Sequence, residues 1–288
     1  MIKRKEIRKI AEESGVPKST IEKDWIMGHF LDAIYSIKKL KNNLVFKGGT
    51  CLKKCYYHDY RFSDDLDFTS RDSNLKINEK EISEVSRIIE EKSGAQTVFH
   101  SYRELHYDDI LTGYEAKIKY WGPDHDPNVP PPPQERWNTI VKLEIILYER
   151  LLFQVNEQPV NHPYSDTLSS DPLIIPVYSL IEIITEKIRS LVQRSYTAPR
   201  DYFDIWYILQ NSSFNKEILR EKILEKLSFK GLQYKGVDMF MPLESKKTVV
   251  TGWEQSLRHQ VSGELPDFEK VKSNLRTYLQ KIFIRSDE

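Results

Sequence analysis

Apolar residues recur with two different periods along this chain, helical towards both ends and alternating in the middle. Ile7, Ile10 and Ala11 stand at helical spacing, and Gly15 with Pro17 ends that stripe. Ser19 and Glu22 have the spacing of a capping box, which predicts a second helix running to about residue 38. Two helices across a Gly/Pro turn have the outline of a helix-turn-helix. That outline is scaffold in most folds and a DNA reader in some.

Alternation takes over next. LVFK (44–47) is short and apolar enough for a strand, GGTCLKKCYY (48–57) starts a helix, and RFSDDLDFTS (61–70) is a second strand. Residues 77–93 read as an amphipathic helix. TVFHSYREL (97–105), YEAKIKYWG (114–122) and NTIVKLEIILYE (138–149) follow as strands, with the clearest period of two in Val141, Leu143, Ile145 and Leu147. Pro130 to Pro133 cannot join a sheet and predict a stiff, polyproline-like loop.

From Val177 onward the period is helical again. Leu180, Ile184, Ile188 and Leu191 form one stripe, Pro199 suits the first turn of the helix RDYFDIWYIL, and further helical patterns cover 214–227, 244–260 and 266–284. The expected fold is α+β, with one unit over 1–170 and a mostly helical C-terminal lobe over 171–288.

Composition narrows the function classes. A chain of 288 residues, 39% hydrophobic and 30% charged, buries a sizeable core and is not disordered. Lys+Arg and Asp+Glu both total 43, so no global basic field coats nucleic acid, although a local basic groove is allowed. No apolar run is long enough for a membrane span, and MIKRKEIRKIAEESG has charges where a signal peptide has its apolar stretch; a cytoplasmic address without membrane contact is expected. Cys51 and Cys55 read as reduced packing residues, because a disulfide across one helical turn closes almost no loop. The seven histidines show no ligand spacing and read as structural or surface groups.

The chemistry concentrates in FKGGTCLKKCYYHDYRFSDDLDF (46–68). Asp65 and Asp67 flank Leu66, so in a strand both project from one face about 7 Å apart, where their mutual repulsion is about 0.6 kcal/mol in water and several-fold more in a lower dielectric. Two hard oxygen ligands facing one way suit Mg2+, or Mn2+, completed by waters and substrate phosphates. Gly48 and Gly49, between a strand and a helix, allow close backbone approach to an anion, the Thr50 hydroxyl can add a hydrogen bond, and Lys53, Lys54 and Arg61 add positive charge. The phosphate-loop pattern G-x-x-x-x-G-K-[ST] is absent, as is G-x-G-x-x-G.

A Gly-Gly turn, a helix and then D-x-D on the next strand resemble the polymerase-beta-type nucleotidyltransferases. In more detail, KGGTCLKKCYYHDYRFSDDLDF resembles the AbiEii/AbiGii toxin family, which includes the MenT toxins. Later family motifs, a lysine on a helix and an Arg-Asp-x-x-Asp segment, are matched by EKIRSL (186–191) and RDYFDI (200–205). The resemblance implies a polymerase-beta-like sheet with flanking helices. It also implies metal-dependent transfer of a nucleotidyl group from an NTP to an RNA acceptor, reported for some members as the tRNA 3′ end, by a toxin held in check by a cognate antitoxin in a bacterial or phage-defence pair.

Carried over by position, Asp65 and Asp67 are metal ligands, and Glu144 is the candidate third carboxylate because it shares a strand face with Lys142, opposite Leu143 and Ile145. Lys187 would bind triphosphate, assisted by Arg194, while Asp204 and Arg200 would pair and orient Lys187. Lys47, Gly48, Gly49, Thr50, Lys53, Arg61 and Ser63 complete the expected nucleotide-binding set. The structural alternatives are a solvated strand face for Asp65 and Asp67, a cross-strand lysine pair for Glu144, a lysine snorkelling off an amphipathic helix for Lys187, and a favourable helix start for Asp201 and Asp204.

Overall fold

The computed structural model describes residues 1–126, 128–193, 198–241 and 246–283. Two compact units result, one of Met1–Arg150 with Val155–Tyr178, the other of Leu151–Gln154 with Ser179–Glu288.

The first unit opens with α1 (Arg4–Ser14), which ends where Gly15 turns left-handed at φ 66, and α2 (Lys18–Ser36). The expected capping box does not form. Pro17 sets the N-cap with φ −59 and starts the helix early enough to draw Ser19 and Glu22 inside it. The Glu22 carboxylate instead accepts the backbone N–H of Asp124 at 2.8 Å. From Asp24 to Tyr35 every residue of α2 is buried, which leaves that stretch no face for a DNA groove. A short α3 (Lys38–Asn43) leads into the sheet.

Seven strands make one mixed sheet, β1 (Leu44–Lys47), β2 (Asp65–Ser70), β3 (Gln96–Tyr107), β4 (Ile110–Trp121), β5 (Ile140–Ile146), β6 (Asn156–Pro159) and β7 (Ile174–Val177), in the order β3-β4-β5-β2-β1-β7-β6. β2 lies antiparallel to β1 and parallel to β5, so the D-x-D strand has a hydrogen-bonded neighbour on each side. One face of these strands is apolar. Leu66, Phe68, Leu143 and Ile145 are buried there, with Phe68 against Phe46 (5.3 Å between ring centroids) and Tyr35 of α2 (6.4 Å). Helix α5 (Glu79–Ser93), fixed at its start by a capping box of Asn78 and Glu81, packs against α2 and β3.

Between β1 and β2 the chain forms α4 (Gly48–Cys51) and then widens into a π-helical turn over Leu52–Tyr56. The wider turn buries Lys54 and points it at Asp24 of α2, Nζ to Oδ2 2.6 Å, while Cys51 and Cys55 remain free and buried.

The second unit is helical: α6 (Leu180–Gln193), α7 (Pro199–Asn211), α8 (Lys216–Phe229), α9 (Lys246–Leu257) and α10 (Phe268–Phe283). Its core joins Phe203 to Trp253 (6.1 Å) and Trp253 to Phe268 (5.1 Å). The buried Glu182 pairs with the buried Lys226 at 2.7 Å and accepts the backbone N–H groups of Leu152 and Phe153, so burial of both charges is compensated. Among the described residues no helix is long and apolar enough to cross a membrane.

Candidate active site

Strand register assembles the site. Lys47 of β1 lies opposite Asp67 of β2, Asp67 opposite Glu144 of β5, Glu144 opposite Glu115 of β4, and Glu115 opposite Arg103 of β3. One row across five strands therefore carries a cation at each end and three carboxylates between. Asp65 and Lys142 are opposite each other in the adjacent row, and Lys142 faces Lys117. Like charges directly opposite destabilise a sheet, so three such pairs together, Asp67 with Glu144, Glu144 with Glu115 and Lys142 with Lys117, are a local conflict of the kind found at functional sites.

Neighbouring cations relieve part of it. Arg103 donates to Glu115 at 2.9 Å and holds that carboxyl below its usual range. Lys142 stands 3.2 Å from Glu144 and 3.8 Å from Asp65. Burial alone would lower its ammonium pKa, but the charges of Asp65 and Glu144 outweigh this and raise it. Asp67 is relieved less than Glu115. Loss of hydration, then the charges of Glu144 and Asp65, push its carboxyl up to about 6 against the opposing pull of Lys47 and Lys142.

The glycine turn meets the carboxylates. Gly48 has φ +83, and a β-carbon there would lie 2.4 Å from Asp67 Oδ2, so only glycine admits both this backbone and this proximity. A β-carbon on Gly49 would lie 3.0 Å from both Arg61 Nη2 and Ser63 Oγ. The fold thus gathers Lys47, Gly48 and Asp67, and beside them Gly49, Arg61 and Ser63.

Three expected phosphate contacts are engaged within the protein, and in one of them the buried Arg61 donates through Nη1 to the Phe62 carbonyl at 3.0 Å. The buried Thr50 hydroxyl donates to the backbone carbonyl of Asp65 and pins the turn to β2. Lys53 is also buried, with its ammonium donating to the His58 carbonyl at 2.6 Å over the Phe62 ring. In the second unit Lys187 bridges Asp204 (2.7 Å) and Asp201 (3.1 Å), both buried, and Arg200 is exposed. Arg194 lies outside the described residues.

Sequence reasoning missed Glu115 and Arg103. YEAKIKYW carries the alternation Glu115, Lys117, Lys119 in plain view, but nothing local says which strand lies beside it. It also missed a meeting of histidines. His29 and His162 each direct Nε2 at Asp166, at 3.1 and 3.0 Å, and Trp25 Nε1 donates to the same carboxylate at 3.0 Å. This is the set among the described residues whose possible metal-ligand atoms all lie within 4.8 Å; Asp65, Asp67 and Glu144 are not drawn together so closely. Both Nδ1 atoms of the histidine pair are buried without a partner. A metal on Nε2 would put protons on those Nδ1 atoms with no acceptor, whereas Nε2–H donation leaves only lone pairs there. The chemistry favours a hydrogen-bonded hub tying α2 to residues 162–166.

The fold is that of nucleotidyltransferases. MenT4, a nucleotidyltransferase toxin from Mycobacterium tuberculosis, superposes with a TM-score of 0.64 at 18% identity, covering 98% of this chain and 91% of its own. A protein described as a nucleotidyltransferase from H. pylori gives 0.55 at 17% identity, covering 93% and 96%. A search of curated proteins finds no match. Residues 29–280 match the family described as nucleotidyl transferase AbiEii toxin, type IV TA system, and the chain belongs to that family of toxin–antitoxin nucleotidyltransferases.

Proposed function

We propose that this chain transfers NMP from an NTP to an RNA acceptor, the 3′ end of a tRNA, with Mg2+ or Mn2+, and that a cognate antitoxin restrains it in the cytoplasm as part of phage defence. The observation that carries this reading is the register of Asp65, Asp67 and Glu144 on adjacent strands with Gly48 packed against Asp67.

These residues fit a hard divalent cation. The donors are all oxygens, they share one sheet face, and Asp67, whose carboxyl burial pushes up to about 6, is a group whose ionised form a cation would favour. Asp65, Asp67 and Glu144 would hold the ion, which when bound polarises the α-phosphate and offsets charge on the attacking and leaving oxygens. Gly48 and Gly49 leave the backbone open to phosphate oxygens, with Arg61 and Ser63 beside Gly49 as further donors. The acceptor hydroxyl oxygen attacks the α-phosphorus, its proton passes to Glu144, and the bond to the β-phosphate breaks so that pyrophosphate leaves with the electron pair. Lys187 and Arg194 are assigned to the triphosphate on the family pattern, and Asp204 with Arg200 to the positioning of Lys187.

Transfer of labelled NTP to purified tRNA tests the reading, with self-labelling of the protein measured alongside. Label on tRNA that disappears in Asp65→Ala, with the fold intact, is the expected result. Label confined to the protein or to a small molecule would reassign the acceptor, and no transfer with any NTP in Mg2+ or Mn2+ would overturn the reading.

A further inference from the structure

Lys142 sits where a metal-binding strand has least use for a cation. Its neighbours across β2 and along β5 are the carboxylates proposed above as ligands, and across β4 it meets the like charge of Lys117. Repelled on one side and attracted on the other, its ammonium settles 3.2 Å from Glu144 and 3.8 Å from Asp65. Those are the spacings of an ion pair, much longer than the roughly 2.0–2.1 Å bonds of magnesium to oxygen.

The two lysines on this face differ in their freedom. Lys47 is 9% exposed and lies over the Tyr178 ring at 5.5 Å. The Lys142 side chain is 27% exposed, so it has solvent to swing into. We propose that Lys142 is a displaceable counter-ion, a positioning residue whose ammonium keeps Asp65 and Glu144 facing one another in the metal-free protein and yields that place to the divalent cation. This rests on the metal-dependent reading above, and it adds that metal affinity is set by competition with a resident charge. Loading the site is then an exchange of one cation for another, which keeps the carboxylates from splaying apart or collapsing onto each other while no metal is bound.

The test is Mn2+ binding to the full chain, by calorimetry, for wild type, Lys142→Met, Lys142→Gln, Lys142→Arg and Asp65→Ala. Loss of the competing unit charge should tighten Mn2+ binding about tenfold in the two neutral variants, whereas Lys142→Arg, which keeps the charge, should not tighten it. Unchanged or weaker binding in folded Lys142→Met and Lys142→Gln overturns the proposal while leaving the metal site standing, provided that wild type binds and Asp65→Ala does not. Absence of Mn2+ binding in wild type and variants alike overturns both. A measurement on wild type needs no variant to fold: the Lys142 amine should react with an amine-specific reagent at least about threefold faster when Mn2+ is present, as an ion-paired ammonium released to solvent would. An unchanged or slower reaction at Lys142 counts against the exchange.

Discussion

Asp67→Asn should stabilise the first unit at neutral pH. The Asp67 carboxyl is pushed up to about 6, so the folded protein holds its proton more tightly than the unfolded chain does. A raised folded pKa gives stability that is present below the ordinary carboxylate range and lost as pH rises through about 6. A shift of about two units at 1.36 kcal/mol each sets a ceiling of about 3 kcal/mol, and solvent at this partly exposed site reduces the realised figure to about 1–2 kcal/mol. Asparagine mimics the protonated acid at every pH. Its advantage over wild type should therefore be near zero at pH 4, grow between pH 4 and 6, and be level above about 7. Urea unfolding in EDTA, followed by amide protection of β2 peptides, isolates the first unit from the second. Adding Mn2+ at pH 7.5 should reverse the order, since the metal stabilises only the form that binds it. An equal advantage at pH 4.5 and 7.5, or a loss of stability in Asp67→Asn at pH 7.5 without metal, would refute the reasoning.

Gly48→Ala should cost about 1–3 kcal/mol of stability and at least about a hundredfold in transfer rate, because its β-carbon meets both a left-handed backbone and the Asp67 carboxylate; Gly49→Ala, which meets a flexible arginine end and a hydroxyl, should be milder in both assays. Thr50→Val should lose about 1 kcal/mol in thermal or urea unfolding while Thr50→Ser loses little, the pattern of a structural hydrogen bond to Asp65 rather than of a phosphate contact. Lys187→Met strands Asp201 and Asp204 in a buried setting and should destabilise the second unit by about 3–5 kcal/mol, with much of the loss recovered in Lys187→Met/Asp204→Asn. NTP binding measured in that stable double variant separates the two roles of Lys187: retained affinity would make it structural alone.

Local pattern made the central elements legible. The alternation in NTIVKLEIILYE and in RFSDDLDFTS predicted β5 and β2, and it placed Glu144 and Lys142 on one face before any neighbour was known. Two strands had no such signal. β6 (NEQP) and β7 (IIPV) are four residues long, and each contains a proline, which ordinarily argues against a strand. Pro17 overrode the Ser19 and Glu22 spacing for a similar reason, since its fixed φ moved the start of the helix. The Asp166 hub was invisible because His29 and His162 meet only after the loop following β6 returns to α2.

The carboxylate row was half legible for a deeper reason. Within one strand the sequence dictates which side chains share a face, but β2 and β5 become neighbours only through a parallel pairing that skips α5, β3 and β4 in the chain. That pairing puts three carboxylates, Asp65, Asp67 and Glu144, beside two ammonium groups, Lys47 and Lys142, after Arg103 has neutralised Glu115. The charges on that face balance once Lys117, 3.6 Å from Glu115, is counted, so the raised Asp67 pKa is first the cost of burying that carboxyl and only then that of its acidic neighbours. A sequence selected for folding alone would remove that cost by a single change to asparagine. Retaining the acid beside a glycine that any other residue would replace only with strain gives up stability at a spot where a divalent cation and a phosphate would both gain from it.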